Sequence, residues 1–178
     1  MMRTKLFSEI PYLKGQRLTI RALTVDDAPG LQELVNDTIV YRYLPTFLFE
    51  KNNGSVENVI DTLYTECFKD SIILGVFEND SFCGLIELYG HRDLIHKISV
   101  GYRYLSRCWG RGIATEALKM MVDYLYGETD IEIITASTMV ENQNSANVLK
   151  KNGFSQVVHA VGEDWGFEEP TVSDKWIR

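Results

Sequence analysis

A strand that runs through a glycine-containing turn into a helix constrains this sequence more than any other feature. Residues 97–104 are rich in β-branched and aromatic residues, with Ile98, Val100, Tyr102 and Tyr104 alternating on one face, which predicts a β-strand. From residue 113 onward, apolar residues recur at the spacing of one helical face, which predicts an amphipathic helix. The chain must therefore build a strand–loop–helix unit.

The start of that helix is suited to an anion. The first backbone N–H groups of a helix have no partner within the helix, and they carry the positive end of its dipole. Glycine lets a phosphate approach the backbone, and two arginines add positive charge beside it. The alternative is a helix that merely begins with a glycine turn. We predict a pyrophosphate site formed by Arg107, Trp109, Gly110, Arg111, Gly112, Ile113 and Ala114.

Two common phosphate-binding motifs do not fit these residues. A Walker loop needs Lys and then Ser or Thr after its glycines, and a dinucleotide fingerprint needs a third glycine where this sequence has Thr115. What remains is Arg-x-x-Gly-x-Gly at residues 107–112. This motif resembles the acyl-CoA pyrophosphate loop of the GNAT N-acetyltransferases, and residues 109–117 look like the RimJ/RimL-like branch of that family.

A second motif strengthens the resemblance. Asn-x-x-Ser at residues 142–145 precedes a short predicted helix that ends in Lys-x-Gly-Phe, and a predicted strand at 131–140 separates it from the first motif. Either Asn142 or Asn144 is expected to cap this helix. The resemblance covers nearly the whole chain and implies one domain over residues 1–178. The implied fold is mixed α+β, with a central, mostly antiparallel sheet that is splayed at the coenzyme site and flanked by helices.

The remaining patterns agree with the order of elements in that fold. Helices are expected after Thr24 and from Val56 to about Lys69, the second capped by Ser55, and further strands at 17–22, 72–77, 82–89, 154–161 and 171–178. Gly101 lies inside the strand 97–104, where glycine often marks a bulge or a close approach by another backbone. The resemblance implies that a bulge here splays two strands around the pantetheine arm of the coenzyme, next to Val100 and Tyr102.

Charge and composition limit the possible partners. The net charge of −7 argues against general affinity for nucleic acid or anionic membranes, and it favours a cationic substrate such as an amine. Three cysteines without metal-ligand spacing predict a reduced, cytoplasmic protein without a metal site. No apolar run reaches the length of a signal peptide or a membrane span. The aromatic C-terminal part, with Trp165, Phe167 and Trp176, is a candidate homodimer face.

Direct acetyl transfer requires a deprotonated amine, a polarised thioester carbonyl and a stabilised leaving thiolate. The resemblance implies that Ser145 donates to the thiolate and that Asn142 holds the pantetheine amide. Both residues would also be explained as helix caps and nothing more. Tyr102 and Tyr104 are alternative acids, although strand tyrosines more often serve in packing.

The general base is less clearly marked. Many relatives carry Glu on the coenzyme-binding strand two residues before the glycine, and this sequence has Ser99 there. Asp164 corresponds to a carboxylate assigned as base in RimL-like enzymes, although acidic loops are usually solvated surface. Glu87 is a second candidate because it lies on an otherwise apolar strand. His91 and His96 could relay a proton, and water is the remaining alternative.

These observations predict an acetyl-CoA-dependent N-acetyltransferase with acetyl-CoA as co-substrate. The expected acceptor is a primary amine, either a protein N-terminal amine or a small amine, bound between residues 41–49 and 162–170. The alternative is a non-catalytic acyl-CoA-binding sensor or interaction module that lost its base, and Ser99 keeps this alternative open.

Overall fold

The structure of the chain, a computed structural model, describes residues 4–44, 54–166 and 168–178. These residues form one eight-stranded sheet in the order β1-β2-β3-β4-β5-β6-β8-β7. Neighbouring strands are antiparallel except β5 and β6, which are parallel, so the mixed fold with a mostly antiparallel sheet is confirmed. The strands are β1 (Leu13–Lys14), β2 (Leu18–Arg21), β3 (Ile72–Glu78), β4 (Ser81–Arg92), β5 (Lys97–Tyr104), β6 (Ile133–Met139), β7 (Ser155–Glu163) and β8 (Thr171–Ile177).

Four α-helices occur among the described residues: α1 (Ala28–Asn36), α2 (Val56–Thr65), α3 (Ile113–Glu128) and α4 (Gln143–Lys151). Ser55 caps α2 as predicted, because its Oγ accepts from the backbone N–H of Asn58 at 3.3 Å. The first helical segment begins after Thr24 as predicted, with a short 3-10 turn at Val25–Asp27 that leads directly into α1. The predicted end of the second helix was wrong, because α2 ends at Thr65, before another 3-10 turn at Cys67–Lys69. None of these helices is long and apolar enough to cross a membrane.

The strands β5 and β6 separate soon after they pair. Their parallel ladder joins Lys97–Ser99 to Ile133–Thr135 and goes no further, and β6 continues beside β8. The Oγ atoms of Ser99 and Thr135 lie 2.8 Å apart at the last paired position. The edge of β5 that carries Val100 and Tyr102 therefore faces a gap. The predicted splay is confirmed, and the gap positions the functional site.

The predicted bulge at Gly101 is wrong. The ladder between β4 and β5 is regular there, with Glu87 opposite Gly101 and Leu88 opposite Val100. The register shift lies between Tyr89 and Arg92, where Gly90 takes a φ of +62°. A positive φ at an irregularity of this kind favours glycine, and Gly90 supplies it on the partner strand.

The packing of the helices brings distant parts of the chain together around the gap. Helix α3 crosses over from β5 to β6, with Ala117, Leu118 and Met121 fully buried. Asn152, directly after α4, donates to the carbonyl of Thr115 in α3 at 3.2 Å. Trp176 is buried and donates from its indole N–H to Thr138, so this residue does not belong to an exposed dimer face.

Candidate active site

The N-terminus of α3 presents unpaired backbone N–H groups. Gly110 and Gly112 have φ values of +71° and +77°, a region that favours glycine, and no side chain caps the helix. The amides of Cys108 and Trp109 donate to carbonyls of the preceding turn. Among the described residues, none accepts a hydrogen bond from the amides of 110–115. These groups can therefore hold an anion, which is the arrangement that the sequence predicted.

The two arginines of this loop are paired with carboxylates. Arg107 donates to Glu33 through Nε at 2.7 Å and through a terminal nitrogen at 3.0 Å. Arg111 is ion-paired with Glu78. Neither arginine lines the cavities beside the loop. The structure uses both guanidinium groups to tie the loop to α1 and β3, and their predicted contact with a phosphate stays a prediction.

Two adjoining cavities open at the gap between β5 and β6. The cavity next to α3 has a volume of about 420 Å³, and its walls include Trp109, Gly110, Gly112, Ile113 and Ala114. The second has a volume of about 340 Å³, and its walls include Glu87, Val100, Gly101, Asp164 and Trp165. Since the two share walls, they form one cleft through the splayed sheet. The shared residues are Tyr43, Leu44, Tyr102, Arg103, Asn142 and Ser145.

Ser145 and Asn142 meet at the middle of this cleft. The side-chain oxygen of Asn142 accepts from the backbone N–H of Ser145 at 3.2 Å, so Asn142 caps α4 as predicted. The Ser145 hydroxyl is not used as a cap. Its Oγ lies 2.9 Å from the hydroxyl of Tyr102 on β5. Ser145 is thus a hydroxyl in a cleft wall, and its predicted contact with the coenzyme sulfur stays a prediction.

Glu87 is half-buried in the wall of the second cavity. Burial raises its pKa to about 7, and the positive charge of Arg103 partly opposes this rise. A Cβ placed on Gly101 would lie 3.8 Å from its Oε2, so the missing side chain leaves room beside the carboxylate. A half-buried carboxyl with a near-neutral pKa in a cleft has the properties of a general base.

The other proposed proton carriers occupy less favourable positions. Asp164 lines the same cavity but is exposed, and its Oδ1 accepts from the backbone N–H of Gly166 at 2.9 Å. The Ser99 hydroxyl is hydrogen-bonded to the Thr135 hydroxyl, where the pairing of β5 and β6 ends. His96 lies 3.4 Å from Asp130, and neither His96 nor His91 lines the cleft. The structure thus brings Glu87, Asp164 and Ser145 to one cavity and leaves the histidines out.

The walls of the acceptor side were only partly found from sequence. Tyr43 and Leu44 belong to the predicted segment 41–49, whose residues 45–49 lie outside the described residues, and Trp165 belongs to the predicted loop 162–170. Phe167 also lies outside them. Sequence reasoning missed Arg103 and Tyr89. Little in the sequence indicated either residue. Arg103 lies on the same strand face as Ser99 and Gly101, and a charge on that face suggests a site only once the cleft is known.

Burial of the Glu87 carboxyl predicts that Glu87→Gln stabilises the fold at alkaline pH. The folded-state pKa of about 7 lies above the ordinary glutamate value of 4.5, so the wild type loses stability as the pH rises from about 4.5 to about 7. Gln does not ionise, so its burial does not become more costly as the pH rises. Relative to the wild type, we expect the variant to gain about 2 kcal/mol of unfolding free energy between about pH 5 and about pH 8. Urea unfolding at both pH values measures this gain, and an equal difference at both would contradict it.

Residues 17–155 match the sequence model of the acetyltransferase (GNAT) domain. The chain belongs to the GNAT acetyltransferase family. It is 26% identical over 147 residues to the putative ribosomal N-acetyltransferase YdaF of Bacillus subtilis, and this alignment covers 79% of each chain. It is 28% identical over 152 residues to the probable N-acetyltransferase YjcK of the same species, which covers 80% of this chain and 82% of YjcK. The predictions of a GNAT N-acetyltransferase and of an acyltransferase are confirmed.

Solved structures show the same fold. A GNAT-family acetyltransferase from Bacillus anthracis superposes with a TM-score of 0.80 at 20% identity, covering 94% of this chain and 98% of that one. RimL, the ribosomal L7/L12 alpha-N-protein acetyltransferase in complex with coenzyme A, also gives a TM-score of 0.80, at 15% identity and with 94% and 97% covered. The predicted GNAT fold is confirmed over nearly the whole chain.

Proposed function

We propose that this acetyltransferase takes its acetyl group from acetyl-CoA and passes it to a protein N-terminal amine. The observation that carries the proposal is the continuous cleft from the open amides of α3, past Ser145, to the carboxylate of Glu87. The residues fit such a donor. The amides of 110–114 suit its diphosphate, and the free edge of β5 at Val100 and Tyr102 offers backbone groups to its amide-containing arm.

In this proposal Glu87 accepts a proton from the amine, and Ser145 stabilises the leaving sulfur. Glu87 takes a proton from the ammonium group of the acceptor, and the freed amine attacks the thioester carbonyl. The C–N bond forms and the C–S bond breaks, with its electron pair going to sulfur. The nitrogen loses two protons overall, of which one ends on sulfur and the other passes through Glu87 to solvent. Ser145 donates to the sulfur as negative charge develops there.

The charge of the protein and the names of two similar proteins support an N-terminal amine as acceptor. The net charge of −7, together with Glu87 and Asp164 in one cavity, attracts a cation, and the aromatic walls Tyr43, Tyr89 and Trp165 can pack against it. YdaF and RimL are both named for acetylation of ribosomal proteins. A small amine is the second candidate, because the same groups would attract it. The cytoplasmic location and the homodimer stay predictions.

A mass-spectrometric screen with isotope-labelled acetyl-CoA tests the proposal. We expect label on peptides with a free N-terminus and none on the same peptides after N-terminal blocking, even when they contain lysine. Polyamines and aminoglycosides form the second arm, and label there alone would replace the N-terminal amine by a small one. Absence of acetyl-CoA binding in isothermal titration, together with absence of label in both arms, would refute the proposal.

A further inference from the structure

Tyr102 and Ser145 form a pair of hydroxyl groups at the midpoint of the cleft. The Tyr102 hydroxyl lies 2.9 Å from Ser145 Oγ and 3.3 Å from the backbone carbonyl oxygen of Ser145. Tyr102 comes from β5 at the edge of the gap, and Ser145 comes from the first turn of α4. Both residues line both cavities. The pair therefore spans the place where the two halves of the cleft meet.

The surroundings of the pair fix the backbone of Ser145 and the ring of Tyr102. Asn142 holds the backbone N–H of Ser145 at 3.2 Å, which fixes the start of α4. The ring of Tyr102 packs against Tyr104, with 5.9 Å between the ring centroids. Burial raises the pKa of Tyr102 well above its ordinary value, so its hydroxyl keeps its proton at physiological pH. Tyr102 is thus a fixed donor beside a hydroxyl that can both donate and accept.

We infer that Tyr102 is a positioning residue that turns the hydroxyl proton of Ser145 toward the coenzyme sulfur. This inference rests on the proposed function. Tyr102 donates to Ser145 Oγ, and the Ser145 O–H is then free to donate into the cleft. As the C–S bond breaks, the two hydroxyl groups form a chain that ends on the negative sulfur, and no bond within Tyr102 breaks. Each donor polarises the next, so the chain stabilises the thiolate more than Ser145 does alone.

The opposite orientation of the two hydroxyl groups would leave Ser145 unable to donate to sulfur. If Tyr102 donated to the carbonyl oxygen of Ser145, the serine hydroxyl would donate to Tyr102 and have no proton left for sulfur. The 2.9 Å contact is shorter than the 3.3 Å contact, and a hydrogen bond to a charged sulfur is stronger than one between neutral groups. Charge at the sulfur therefore selects the orientation in which Ser145 faces the cleft.

Three variants test this role: Tyr102→Phe, Ser145→Ala and the double variant. Tyr126→Phe is the control, because it removes a half-buried tyrosine hydroxyl from α3 outside the cleft. We expect Tyr102→Phe to lower kcat about tenfold and Ser145→Ala about 100-fold. The double variant should lose little more than Ser145→Ala, because Tyr102 acts through Ser145. The dissociation constant for acetyl-CoA should stay within about twofold, since the donor pair acts on developing charge.

The pKa of the thiol of bound coenzyme A gives a second readout that packing alone would not move. It is followed by the ultraviolet absorbance of the thiolate, and we expect Tyr102→Phe to raise it by about one unit. An unchanged kcat and an unchanged thiol pKa in Tyr102→Phe would overturn the inference. Additive losses in the double variant would also overturn it, because Tyr102 would then act on sulfur directly. Failure of the proposed function is distinguishable, since the wild type would then bind no coenzyme A or would transfer no label to any amine.

Discussion

Glu87→Gln is expected to lower kcat/KM for the acceptor amine about 100-fold to 1,000-fold. The variant keeps the size of the side chain and removes the group that accepts the proton. In the wild type, kcat/KM should rise about tenfold per pH unit below about pH 7 and level off above it, because the base must be ionised and burial raises its pKa to about 7. Initial rates across this pH range, with the amine found by the screen, measure both effects.

Two controls separate the base from other sources of pH dependence. The acceptor amine titrates near pH 8 when it is a protein N-terminus. In Glu87→Gln the slope below about pH 7 should disappear, and kcat/KM should follow the titration of the amine, because the variant needs an amine that has already lost its proton. Asp164→Asn should raise KM a few-fold and keep the lower slope, because the exposed carboxylate of Asp164 attracts the cation only. Glu132→Gln, an exposed residue outside the cleft, should behave like the wild type. A larger loss in Asp164→Asn than in Glu87→Gln would reassign the base.

The loop and the strand before it could be predicted from sequence because their conformations are set locally. The run of β-branched and aromatic residues at 97–104 coincides with β5, and α3 begins at Ile113. Gly110 and Gly112 both take positive φ values, which is the property that makes glycine informative at such positions. Local constraints of this kind are visible in a single sequence.

The partners of the loop arginines could not be predicted, because they depend on tertiary packing. Arg107 meets Glu33 from a position 74 residues away, and Arg111 meets Glu78 across 33 residues. The sequence predicts that both arginines lie beside a phosphate site, but it does not show which carboxylates approach them. What the structure offers to an anion at this point is therefore backbone amides and the helix dipole more than unpaired side-chain charge.

The departure at Ser99 could be interpreted only after the strand register was known. Ser99 lies opposite Tyr89, and Glu87 lies opposite Gly101, so Glu87 shares a sheet face with Ser99 and is its diagonal neighbour. The Glu87 carboxylate on β4 can thus reach the same part of the cleft that a carboxylate at position 99 on β5 would reach. The sequence reveals Glu87 as an acid on an apolar strand, but the register and the cleft make it the strongest candidate base.

Gly110→Glu is expected to weaken acetyl-CoA binding by about 100-fold or more. No atom lies within 4 Å of a Cβ placed on Gly110, so the new carboxylate fits beside the open amides of α3. It would satisfy some of those amides and repel the diphosphate of the donor, since like charges at close range in a cleft cost several kcal/mol. Isothermal titration with acetyl-CoA measures the loss.

Gly110→Ala is the matched control for this variant. Both substitutions force a side chain onto a residue with a φ of +71°, so both should lower the unfolding free energy by about 1 kcal/mol. Only Glu adds a charge, so Gly110→Ala should lose less than about tenfold in affinity. Equal losses of affinity in the two variants would mean that backbone strain alone disturbs binding. Unchanged affinity in Gly110→Glu would mean that the amides at the start of α3 do not hold the diphosphate.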